Sequence, residues 1–109
     1  TEMPERYDVW AMEAVEIKPG YFGRAITSEQ TTHMYWEIEA DRPLPEHEHP
    51  HEQIVNMIEG TYELVIGGES YVLNAGDVLV IPGGVPHGGR SHTACKILDV
   101  FSAVREEYR

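Results

Sequence analysis

Apolar and polar residues alternate over short stretches along the whole chain, and glycine or proline separates one stretch from the next. The clearest stretch is Thr31 to Ala40, where Met34, Trp36 and Ile38 alternate with His33, Tyr35 and Glu37, the period of two of a strand with unlike faces. Lys18-Pro19-Gly20 predicts a turn between strands over Val9 to Ile17 and Tyr21 to Thr27. Ile54 to Ile58 predicts another strand, closed by Glu59-Gly60. Tyr62 to Ile66 and Ser70 to Leu73 flank Gly67-Gly68, a hairpin signal because glycine accepts the positive φ of a primed turn. Val78 to Ile81 and Ala94 to Phe101 complete the series, and no run shows a helical period with caps. Roughly eight or nine short strands at regular spacing predict an all-β jelly-roll sandwich or barrel.

The last predicted strand carries an anomaly. Its parity puts Ile97, Asp99 and Phe101 on one face. A carboxylate between apolar neighbours is costly unless it is paired, at a cavity mouth, or functional. Parity leaves open whether that face looks inward or into water.

At 109 residues the chain is long enough for one core and too short for two, so residues 1–109 are expected to form a single domain. A formal net charge of −11, with eight Lys and Arg in no cluster, argues against nucleic acid and anionic membrane surfaces as partners. Cys95 is the only cysteine, which rules out an intrachain disulfide, and its setting in Ala94 to Leu98 reads as strand core. A reducing compartment suits it. The first residues show no leader-like progression and no apolar run approaches the ~20 residues of a membrane span, so a cytoplasmic location is expected.

Two segments hold the chemistry. Pro45 to Gln53 contains His47, His49 and His51, and Gly76 to His87 ends on a further histidine. Three imidazoles and an amide suit one divalent ion, and His47 and His49, two residues apart, leave the same face of an extended chain. Gln53 is expected to begin one strand and His87 to end another. The plainer alternative is that these histidines are polar surface residues in an acidic loop, among Glu46, Glu48 and Glu52. His33 and His92 read as solvated. Met34 and Met57 fall in strand alternation as core or pocket lining, and Met57 is assigned to the substrate side.

The segments resemble the paired signatures of the cupin superfamily. The first reads H-x-H-x3-Q-x6-G from His47 to Gly60, with Gln53 where most cupins carry Glu; the second reads G-x5-P-x-G-x2-H from Gly76 to His87, with Ser91 in place of a following Asn. The resemblance, over about Met34 to Arg105, implies a cupin jelly roll, a homodimer, and a single divalent ion (Ni, Zn, Mn or Fe) on His47, His49, Gln53 and His87. Glu52 competes with Gln53 as the fourth ligand, but it is one residue off the family spacing, and one residue reverses the face of a strand. His51 shares the parity of His47 and His49 but lies outside the pattern. A neutral Gln ligand leaves the ion a stronger Lewis acid than Glu would, which favours polarising a carboxylate or carbonyl over redox cycling.

A closer likeness is to the pectin-degradation cupins of the KdgF family, whose H-x-H-P-H-E-Q motif is present from His47 to Gln53 and whose D-V-F-S-P-x-R-E-D-Y/F ending is similar to Asp99 to Tyr108. Ala103-Val104 stands in the region of the family's Pro, and Glu107 replaces Asp. The resemblance implies metal-dependent ring opening of 4,5-unsaturated uronate monosaccharides, an isomerase or lyase-type activity on a small anionic sugar. Asp99, Phe101 and Arg105 would be catalytic. Arg105, Phe101, Met57 and Arg24 would contact substrate, with Arg24 the weakest match. The alternatives are another metal-dependent cupin enzyme, such as a dioxygenase or sugar isomerase, and a non-catalytic module that binds a small acid.

Overall fold

The computed structural model describes residues 3–102. Within them ten strands follow in order: β1 (Val15–Lys18), β2 (Tyr21–Thr27), β3 (Thr32–Ile38), β4 (Pro43–His47), β5 (Gln53–Glu59), β6 (Tyr62–Ile66), β7 (Glu69–Leu73), β8 (Val78–Ile81), β9 (His87–Ser91) and β10 (Cys95–Phe101). A six-stranded sheet has the order β1-β2-β3-β10-β5-β8 and a four-stranded sheet the order β4-β9-β6-β7. Every pairing is antiparallel. This is the all-β jelly roll expected from the strand pattern. No helix among the described residues is long and apolar enough to cross a membrane.

Alternation becomes burial where a strand has neighbours on both sides. β10, between β3 and β5, buries Cys95, Ile97, Asp99 and Phe101 and leaves Lys96, Leu98 and Val100 less buried. Ile38, Val55, Leu64, Ile81 and Ile97 meet in the core from both sheets, and each contributes roughly 1.5–3 kcal/mol by leaving water. Met57, 3% exposed, belongs to this core. The Gly67-Gly68 hairpin forms between β6 and β7 with φ of 57° and 85°, as its glycines predict.

Three expectations fail locally. Val9 to Ile17 is not one strand: Val9–Ala11 makes a 3-10 turn, and β1 begins only at Val15. Trp10 in that turn meets Tyr35 edge to face at 5.6 Å, and the Arg24 guanidinium and the Lys96 ammonium lie over its ring at 5.6 and 5.0 Å. These contacts outweigh local β-propensity. The strands β4 and β9 were not predicted, because prolines and glycines break their alternation; they exist because they pair with each other, and β9 with β6. His87 accordingly begins β9 and does not end β8.

Candidate metal centre and cavity

The β4–β9 pairing sets the first two imidazoles side by side, their planes tilted by 58°. Leu44 pairs with Gly89 and His47 with His87, so β4 carries one residue more than β9 between these points, a bulge that brings His47 directly opposite His87. Their ring centroids are 4.3 Å apart. His49, just beyond β4, completes a triangle at 5.8 Å from His47 and 5.0 Å from His87. One ligand nitrogen from each of the three lies within 4.8 Å of the others, so the group could hold a metal ion.

Backbone carbonyls orient all three rings. His47 Nδ1 faces Pro45 O at 3.0 Å, His49 Nδ1 faces His51 O at 2.9 Å, and His87 Nδ1 faces Val85 O at 2.9 Å. A carbonyl only accepts, so each Nδ1 carries the proton and each Nε2 presents a lone pair, the arrangement that prepares imidazole for a metal. His87 is 2% exposed and its Nε2 is buried with no hydrogen-bond partner among the described residues. Leaving such an atom unsatisfied costs about 1–3 kcal/mol. Gln53, 8% exposed, places Oε1 3.2 Å from His49 Nε2. With the His49 proton on Nδ1, both atoms are acceptors, and a shared cation reconciles them. The donor set therefore fits a divalent ion of the Zn, Ni, Fe or Mn type.

The two signature segments are locked together. Gly84 N–H donates to His49 O at 2.8 Å. Gly83 lies so close to Pro50 that a Cβ on it would collide with the Pro50 carbonyl oxygen. Glu52 is exposed, as strand parity requires, while His51 contributes its carbonyl to His49 and stands outside the cluster.

Beside the imidazoles a cavity opens between the sheets, about 660 Å³ with the solvent at its mouth included. Gln53, Asp99, Phe101 and Trp36 line it from the six-stranded sheet, and Tyr62, His47 and His87 from the four-stranded sheet. The ambiguity over Asp99 is thereby resolved: its face looks inward, with the residue 9% exposed and the Trp36 indole N–H donating to Oδ2 at 3.0 Å. Phe101 is 2% exposed and meets the His49 ring at 5.8 Å and 71°. Tyr21 hydroxyl donates to Arg42 O at 2.9 Å, so the 2.7 Å contact between the tyrosines has Tyr62 hydroxyl donating to Tyr21. Burial is the first cause that pushes both phenols above their ordinary pKa; for Tyr62 the bond to Tyr21 adds to it, as does the nearby Asp99 charge.

Two predicted substrate contacts are not in the cavity. Arg24 lies on the other face of β2, donating from Nε to Met12 O at 2.7 Å and from Nη1 to Glu37 at 2.6 Å. Tyr21 and Gly23 take the inward parity on that strand, which leaves Arg24 outside. Met57 has the inward parity of Gln53 and Val55, but it is further along β5, beyond the cavity and in the core. Arg105 lies outside the described residues. The structure adds Trp36, Tyr62, Tyr21 and Lys18 to the lining. Trp36 was legible as inward-facing from its alternation with Met34 and Ile38, whereas Lys18 was hidden in a turn.

Two antiparallel sheets enclosing a histidine cluster define a cupin, and a cupin domain family model matches residues 34–101, more than half of the chain. The chain belongs to that family. No curated protein is significantly similar to it in sequence. Among solved structures it is similar to KdgF from Halomonas sp. (20% identity, TM-score 0.91, 98% of this chain and 100% of that one). It is also similar to an RmlC-like cupin from Shewanella frigidimarina (23% identity, TM-score 0.88, 99% and 97%). A salicylate 1,2-dioxygenase from Pseudaminobacter salicylatoxidans shares the barrel over 79% of this chain and 27% of its own (17% identity, TM-score 0.76). At these identities the likeness is one of fold.

Proposed function

We propose that the protein opens the ring of 4,5-unsaturated uronate monosaccharides to give linear keto acids. The observation that carries the reading is a buried carboxylate, Asp99, lining the same cavity as the three imidazoles and Gln53. The likeness to a KdgF over its full length supports it, as does the match of His47 to Gln53 and of Asp99 to Phe101 to that family's motifs.

The substrate is a cyclic enol ether with a carboxylate and a hemiacetal hydroxyl. In the reaction the hydroxyl loses its proton, C1 becomes an aldehyde as its bond to the ring oxygen breaks, and the resulting enolate takes a proton at C4 to become a ketone. Atoms balance without oxidant or water. Asp99 is the group that accepts the hydroxyl proton and delivers one to C4, a role worth ~100- to 10,000-fold. Trp36 holds that carboxylate in position through its indole N–H. Phe101 forms the apolar wall against the sugar ring, and Arg105 is assigned to the substrate carboxylate. A divalent ion on His47, His49, Gln53 and His87 would supply Lewis acidity toward the oxygen on which negative charge develops.

The experiment is incubation of metal-loaded protein with unsaturated galacturonate, following the absorbance of the conjugated enol. It should decay with wild type. Asp99→Asn should lower kcat by ~100-fold or more with KM little changed, and Arg105→Ala should chiefly raise KM. An unchanged absorbance with wild type sinks the reading in favour of a small-acid-binding cupin. Oxygen consumption by iron-loaded protein would favour the dioxygenase alternative.

A further inference from the structure

The cavity is lined by a described cation that no described residue neutralises. β1 pairs Glu16 with Phe22 but Lys18 with Tyr21, so Ile17 is an inserted residue, a bulge. With strict alternation Ile17 would stand opposite Tyr21 on the cavity face and Lys18 would point to the outer face with Glu16. The bulge instead brings Lys18 into register with Tyr21, and both Ile17 and Lys18 line the cavity. Lys18 is exposed, which places it at the rim.

The other cations in or beside the strands are engaged. Arg24 pairs with Glu37, Arg42 with Glu39 and Arg90 with Asp41, and Lys96 lies over Trp10. Lys18 makes no ion pair with any described residue. In a chain of net charge −11, a lysine at the cavity rim with no ion partner among the described residues is a local attractor for an anion that the rest of the surface repels.

We propose that Lys18 binds the carboxylate of the ligand at the rim of the cavity while the body of the ligand lies against the imidazole cluster, selecting sugar acids over neutral sugars. This rests on the reading that the site takes a uronate, and it adds to that reading a second cation, at the rim, that shares recognition of the charge with Arg105. The bulge is the device: it turns a turn-flanking lysine into a pocket residue without altering the strands around it.

The test is calorimetric titration of zinc-loaded protein with galacturonate, a saturated probe that cannot react, and with galactose as its neutral counterpart. Wild type should bind galacturonate more tightly than galactose. Lys18→Met should weaken galacturonate binding by about tenfold or more, the loss of a charge-assisted contact, with galactose unaffected, and Lys18→Arg should restore most of it. Lys18 is exposed at a strand end, so its variants should keep the unfolding midpoint of wild type. Equal affinity of Lys18→Met and wild type for galacturonate overturns the proposal, as does a wild type that does not prefer galacturonate. Turnover reports on the reaction separately. Lys18-dependent affinity without ring opening would keep the clamp and remove the reaction, and ring opening with Lys18-independent affinity would do the reverse.

Discussion

Trp36 and Asp99, 63 residues apart, are joined by one hydrogen bond, from indole Nε1–H to Oδ2 at 3.0 Å. They sit diagonally on adjacent strands, since Met34 stands opposite Asp99 and Trp36 opposite Ile97. Diagonal neighbours on one face are within reach of a large aromatic side chain. The bond lets a carboxylate persist on the inner face of a central strand, and it fixes which oxygen of Asp99 is turned toward β3.

Trp36→Phe keeps an aromatic at this position and removes the donor. Chemical denaturation should show a loss of about 1.5–3 kcal/mol, the range for a hydrogen bond to a charged group. If Asp99 moves protons, kcat should fall more than KM rises. An unchanged kcat with reduced stability would make Trp36 purely structural.

His47→Ala/His49→Ala removes two of the three clustered imidazoles. Elemental analysis should find one divalent ion per chain in wild type and none in the variant, and wild type alone should gain thermal stability on adding metal. Stoichiometric metal in the variant would place the site elsewhere.

Gln53→Glu exchanges a neutral oxygen donor for a charged one. Metal affinity, read by competition with a chelator, should hold or tighten, while turnover falls by about tenfold because the ion becomes a weaker Lewis acid. A rise in both would refute the charge argument.

Gly83→Ala probes the lock between the two signature segments. Gly83 does not have the positive φ that would itself penalise a side chain, so the new methyl acts through its collision with the Pro50 carbonyl. Displacing the loop that carries His49 should cost about 1–3 kcal/mol and weaken metal binding by about tenfold. Wild-type affinity would show that the loops dock less tightly than their geometry implies.

The tyrosine pair predicts alkaline sensitivity. Burial raises the pKa of both Tyr62 and Tyr21 in the folded state, so the unfolded chain releases these protons first as pH climbs. Their stabilisation is complete below the unfolded value of about 10 and is lost as pH rises above it. Urea midpoints of wild type should therefore hold up to about pH 9 and drop as the pH rises past about 10. Tyr62→Phe should start about 1 kcal/mol lower and fall less steeply.

The chain's own pattern determined the strands whose alternation is driven by burial, the Gly67-Gly68 hairpin, and the segments carrying His47, His49, Gln53 and His87, because period-two patterning and turn chemistry are local properties. It also determined that Ile97, Asp99 and Phe101 share a face. Only the tertiary structure decided that this face looks inward, since that depends on β10 lying between β3 and β5 beneath a second sheet. β4 and β9 were invisible for the same reason: with prolines and glycines in place of alternation, they are strands by virtue of their partners. Arg24 and Lys18 show the limit most clearly, because both are cations near one turn. The arginine keeps the parity of its strand and turns outward to Glu37, while a one-residue bulge, a property of the pairing and not of either strand alone, brings the lysine to the cavity rim.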